Sequence, residues 1–194
     1  MMQTASINHQ RLAIRSLLHI ALAGLASGSA LAAEPSPPDS PVVVMGVLAH
    51  DQGPASDHHE HGVDLNLEVQ FAPLDFFGSP RPHLGTTINF IGNTSLAYAG
   101  LTYPIYTYSN WFLNGSLSAA VHNGPLHNDA TSCQQYSDCG FGVRVLPLFS
   151  ADLGYRLDDK SAFSLYYGHM SHKWIIPGEN EGLDFTGLRY LRAF

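Results

Sequence analysis

Residues 62–71 read GVDLNLEVQF. Val63, Leu65, Leu67, Val69 and Phe71 alternate without exception with Asp64, Asn66, Glu68 and Gln70. A period of two sends successive side chains to opposite faces of an extended strand. One face is therefore wholly apolar, and the other carries two carboxylates and two amides. Two folds accommodate such a strand. In a water-soluble sandwich the apolar face is core and the polar face meets solvent. In a transmembrane barrel the apolar face meets lipid and the polar face lines the interior. The remaining strands decide between them.

Val42 to His50 precedes this stretch as a further extended segment. Residues 81–91, 94–104, 110–121, 141–156, 160–171 and 183–194 follow, with no convincing amphipathic helix among them. Most of these runs exceed the roughly five or six residues usual in soluble sheets and match a tilted membrane crossing. The count is even and the chain ends on Phe194. These features predict an all-β fold: an eight-stranded antiparallel transmembrane β-barrel of the bacterial outer-membrane type.

With the first strand running outward, the outer loops are 51–61, 92–93, 122–140 and 172–182. The inner turns are 72–80, 105–109 and 157–159. In the sixth strand Val143, Val145, Pro147, Phe149, Ala151, Leu153 and Tyr155 share one face. Arg144, Leu146, Leu148, Asp152 and Arg156 share the other. Pro147 lacks an N–H, which predicts a bulge or bend there. Enclosed Arg144, Arg156 and Arg189 are expected to pair with Asp64, Glu68 and Asp152, which offsets the cost of burying charge. Phe71, Tyr103, Trp111, Tyr155 and Tyr190 lie near strand ends and suit interfacial girdles.

The first 32 residues have the form of an export signal. Arg11 and Arg15 make a basic start, Leu17 to Leu25 a short apolar core, and Ala30-Leu31-Ala32 a small-residue cleavage site. Cleavage removes two cations and no acid, taking the net charge from −7 to −9. Residues 33–41 form a linker rich in Pro and Ser, expected to be disordered, and residues 42–194 form the barrel domain. The acidic balance, with no basic stripe, argues against nucleic acid as a partner. Cys133 and Cys139 stand six positions apart in a polar loop, and after export a disulfide is the expected state. Two cysteines alone supply too few ligands for a metal. The run His50, Asp51, His58, His59, Glu60 and His61 shows no fixed ligand spacing, and neither do His122, His127, Asn128 and Asp129. Both read as solvated loops, and no metal site is expected.

The closing stretch, FSLYYGHMSHKWIIPGENEGLDFTGLRYLRAF over residues 163–194, carries the candidate chemistry. In the seventh strand Phe163, Leu165, Tyr167, His169 and Ser171 share the more apolar, lipid-facing parity. In the last strand Asp184 shares parity with Leu188, Tyr190 and Phe194. A serine, a histidine and a carboxylate therefore point outward at the outer end of one hairpin. If Ser171 lies opposite Asp184, His169 is the diagonal neighbour of that carboxylate. A nucleophile, its base and the base's orienter have this composition. Polar residues are equally expected where a strand simply emerges into water, so spacing alone leaves both readings open.

GHMSH at 168–172, NEGLD at 180–184 and the ending GLRYLRAF at 187–194 resemble the lipid A 3-O-deacylases of PagL type and related outer-membrane acyloxyacyl hydrolases. That resemblance covers about the last 30 residues. It implies an eight-stranded barrel that hydrolyses an ester-linked acyl chain of lipopolysaccharide at the outer leaflet, without cofactor or metal. Ser171 would be the nucleophile, His169 the general base and Asp184 the orienting acid. The family's acid is often Glu, and Asp184 is one methylene shorter. The position after the serine is usually Asn and helps stabilise the oxyanion. Here it is His172, whose imidazole also donates a hydrogen bond. The partners implied are lipid A and the outer membrane, and a homodimer is compatible with such a barrel. Two other readings compete with the esterase: a non-catalytic small barrel for envelope integrity or adhesion, and a soluble periplasmic lipid-binding barrel.

Overall fold

The computed structural model describes residues 40–56, 60–127, 140–172 and 182–194. The expected signal sequence, the linker as far as residue 39, and both cysteines lie outside the described residues. Eight strands run in chain order: β1 (Val42–His50), β2 (Val63–Gln70), β3 (Arg81–Asn89), β4 (Leu96–Tyr108), β5 (Trp111–His122), β6 (Val145–Arg156), β7 (Ser161–Met170) and β8 (Leu183–Ala193). Each pairs antiparallel with the next, and β8 pairs back with β1 to close a barrel. Closure leaves no unpaired sheet edge, which a bilayer requires of any strand-built span.

β2 settles which way the faces point. Asp64, Asn66, Glu68 and Gln70 are buried inside the barrel, while Val63, Leu67 and Val69 are exposed outside. The other strands follow the same rule. Met45, Val47, Leu84, Leu117, Phe149, Leu165 and Leu188 are each half exposed or more. An apolar band of this extent is a liability in water and a requirement in lipid.

The interior is filled rather than open. Arg189 sits at its centre, donating to Glu68 at 3.0 Å, with its Nε 3.6 Å from Asp152. Its guanidinium lies 4.6 Å from the centre of the Tyr166 ring. Tyr98 and Gln70 donate to Glu68 at 2.8 and 2.7 Å, and Ser164 donates to Asp152 at 2.6 Å. Apolar layers seal this polar centre on both sides. Leu48, Leu146, Leu148, Met170 and Phe185 belong to the outer layer, and Val44, Phe112 and Leu191 to the inner one.

Three expectations about local structure are corrected. Arg189 alone takes the central acids, because Arg144 and Arg156 lie at opposite ends of the barrel. Arg144 donates to the carbonyls of His122 and Gly124 at 2.9 and 2.8 Å, and Arg156 lies 5.6 Å from the Phe112 ring centre. Asp64 accepts from His50 instead, at 2.8 Å. The second correction concerns Pro147, across which the β5–β6 register runs without a shift. The irregularity falls between Pro104 and Tyr106 in β4. Pro147 stands where the β6–β7 ladder ends and accepts there from the Ser171 N–H at 3.2 Å. Its missing donor therefore breaks no interior ladder bond. Third, β4 continues to Tyr108 where a turn over 105–109 was expected. Tyr106, Thr107 and Tyr108 pair with Leu113, Phe112 and Trp111, and the turn shrinks to Ser109-Asn110, with Ser109 at φ 53° as tight hairpins demand.

Candidate active site at the outer end of the last hairpin

β7 and β8 place the three candidate residues. Along β7, Phe163 and Leu165 are exposed, Tyr167 and His169 half-buried, and the intervening residues buried inside. His169 is thus on the outer face. On β8 the exposed Thr186 and Leu188 define the same face for Asp184. The register pairs His169 directly with Asp184, two residues from the Ser171 pairing considered above. A slip of two preserves every face and changes only the partner. The change matters chemically. His169 Nδ1 donates to Asp184 Oδ1 at 2.6 Å, and direct cross-strand placement lets the short Asp side chain reach.

Ser171 follows two residues beyond His169 and continues the ladder through its bond to Pro147. Parity puts it on the face of His169, and it is 9% exposed. Nδ1 is committed to Asp184, and Nε2 is the other ring nitrogen.

Asp184 lies on the lipid-facing parity yet is 0% exposed. Its cover comes from the loop after β1. The Ala55 and Ser56 N–H groups donate to Oδ2 at 2.8 and 3.2 Å, and the Tyr167 hydroxyl donates to Oδ1 at 3.0 Å. Thr186 Oγ1 donates to the Gln52 carbonyl at 2.6 Å, which pins the loop against β8. Sequence reading missed Tyr167, Ala55 and Ser56. Tyr167 was within reach of the parity argument, being two residues before His169. The loop was not, because its contact with Asp184 spans 128 and 129 residues of chain.

His172 goes the other way. Even parity turns it inward, it is 2% exposed, and Nε2 donates to the Phe141 carbonyl at 2.9 Å. Its ring is not on the face that carries His169.

Two described members of the first histidine group, His50 and Asp51, are buried rather than solvated, while His61 is exposed. His50 is 0% exposed, with Nδ1 2.8 Å from Asp64 and Nε2 2.7 Å from Glu60. Glu60 also accepts from the Thr94 N–H and hydroxyl, both at 2.7 Å. Burial opposes ionisation of Glu60, but the His50 and Thr94 bonds outweigh it and hold the carboxyl below its ordinary value. Asp51 adopts φ 55°, which Asp tolerates better than most residues, and it turns the chain back over β8. Its carboxylate accepts from the Glu60 N–H at 2.8 Å. Burial pushes the Asp51 carboxyl above its ordinary value, against the pull of its hydrogen bonds. Among the described residues no group of three or more His, Cys, Asp or Glu could hold a metal ion. His58 and His59 lie outside them.

A cavity of about 100 Å³ opens at the opposite end of the barrel, lined in part by Arg81, Asn114, Arg156 and Lys160. It is remote from Ser171 and takes no part in this site.

Comparison with known proteins bears on the fold and the family. The family model described as lipid A 3-O-deacylase (PagL) matches residues 60–192. No curated protein matches the chain. Among solved structures, that of the outer membrane enzyme PagL superposes with a TM-score of 0.55 at 13% identity, covering 79% of this chain and 99% of that one. A de novo designed transmembrane β-barrel gives 0.43 at 14% identity, covering 81% and 99%. The outer membrane protein OprG from Pseudomonas aeruginosa gives 0.42 at 10% identity, covering 80% and 97%. The first of these shares the fold, and the family match takes in six whole strands and most of a seventh. The barrel, its lipid-facing exterior and the family match together show that the chain belongs to the PagL family of lipid A 3-O-deacylases.

Proposed function

We propose that this barrel is an outer-membrane esterase that removes the 3-O-linked acyl chain of lipid A by a Ser171–His169–Asp184 triad. The observation that carries the reading is the 2.6 Å bond from His169 Nδ1 to a buried Asp184 on the lipid-facing side of the hairpin, two residues from a serine. A water-facing triad would not meet an ester held at the membrane surface. Export by a cleaved signal over residues 1–32 belongs to the same reading.

In the proposed reaction Asp184 holds His169 in the tautomer with the proton on Nδ1. Nε2 takes the Ser171 hydroxyl proton as Oγ attacks the acyl carbonyl. The tetrahedral intermediate expels the sugar oxygen, which takes that proton back, and leaves the acyl group on Ser171. Water, activated by the same Nε2, then releases the fatty acid and restores the serine. The side chain of His172 has no place in these steps. Its Nε2 bonds the Phe141 carbonyl on the inward side, and this reading assigns oxyanion stabilisation to other donors.

The test is lipid A mass spectrometry on cells expressing the chain or its Ser171→Ala variant. Loss of one acyl group with the first and none with the second is expected. Unchanged lipid A in both would favour a non-catalytic barrel.

A further inference from the structure

We infer that the loop after β1 belongs to the catalytic apparatus: Gly53 and the Ala55 and Ser56 amides form a cradle that aims Asp184 at His169. The inference rests on the triad reading above and extends it to a segment far away in the chain.

Among the described residues Asp184 has four donors for its two oxygens. His169 and Tyr167 serve Oδ1, and two successive loop amides serve Oδ2. An ionised carboxylate withdrawn from water needs such saturation. Without the loop, half of those donors would be missing and the carboxylate could turn away from His169.

Gly53 shows how close the approach is. A Cβ there would lie 2.7 Å from both Cβ and Cγ of Asp184, and nearer still to Oδ2. The obstacle is a short side chain fixed by its partners, so a residue with a side chain must displace it or lift the loop. Gly53 lacks a left-handed φ, so space rather than backbone conformation demands glycine. Gly182 forms the opposite wall: a Cβ there would meet His169 Cε1 at 3.0 Å and the Ala55 carbonyl at 3.3 Å. The loop backbone thus lies against the acid, and Gly182 stands between the loop and the base. Its ends are fastened by the Thr186–Gln52 and Glu60–Asp51 bonds. These residues touch no substrate; they are positioning residues.

Gly53→Val and Tyr167→Phe test this in purified protein, with barrel folding checked by resistance to SDS. Displacement of a catalytic group by about 1 Å costs on the order of 100-fold. Gly53→Val is therefore expected to lower kcat about 100-fold with KM within about twofold, and Tyr167→Phe to lower it less. In an Asp184→Ala background Gly53→Val should cost little more, because its target is gone. In protein labelled with 15N-histidine, the low-field Nδ1 proton of His169, assigned by its loss in His169→Ala, should shift or vanish in Gly53→Val. Wild-type kcat in both single variants would overturn the cradle. An equal loss with and without Asp184 would overturn it too, since the loop would then be structural only. Activity retained by Ser171→Ala would overturn the triad instead, and the imidazole resonance, which needs no turnover, would still decide the cradle.

Discussion

A single register pair carries most of the proposed chemistry. His169 stands directly across from Asp184, and a carboxylate one methylene shorter than Glu suffices at that spacing. Asp184→Asn would keep the shape and lose the charge and the tautomer control, so kcat is expected to fall about 10,000-fold. Its measurement is a fatty-acid release assay on purified protein of confirmed fold. The faces of His169, Ser171 and Asp184 were legible because side-chain parity is a property of the strand alone. The partner of Asp184 was not, because register depends on where both strands stop. His172 shows the same limit. Alternation alone turns it inward, where Nε2 bonds the Phe141 carbonyl, whereas a family position that usually holds Asn suggested an auxiliary role.

At the scale of elements, the loop after β1 does what its composition hides. Seven acidic and histidine residues within 50–61 look like solvated surface, yet His50 and Asp51 are among the most buried polar groups. Glu60 latches the loop to Thr94 and His50. Its carboxyl lies below the ordinary 4.5, so ionisation favours the folded loop. That stability is fully present above the unfolded value and is lost as pH falls through the lower folded one. Glu60→Gln should therefore cost about 1.5–3 kcal/mol at neutral pH, the worth of hydrogen bonds to a charged group. The difference from the natural chain should shrink below about pH 4. Urea unfolding in detergent micelles at the two pH values measures it. Asp51 has the opposite sign: its raised carboxyl means that ionisation costs the fold.

For the molecule as a whole, eight strands and their inward and outward faces could be read from alternation. Length and parity are local properties, and β2 shows them without exception. Charge pairing across the interior is not local. Arg144, Arg156 and Arg189 look alike in sequence, but only Arg189 lies level with both Glu68 and Asp152. Arg189→Leu would strand two carboxylates in the barrel centre and should destabilise it by about 3–5 kcal/mol. Equilibrium unfolding would report this, and adding Glu68→Gln should recover part of the loss. The filled interior also directs attention outward, to the face where lipid and the candidate triad meet. The most direct test of the whole account is release of fatty acid from purified lipid A by the reconstituted barrel, natural chain against Ser171→Ala. The account predicts one fatty acid per lipid A from the natural chain and a rate about a million-fold lower from the variant. Equal release by both would contradict it.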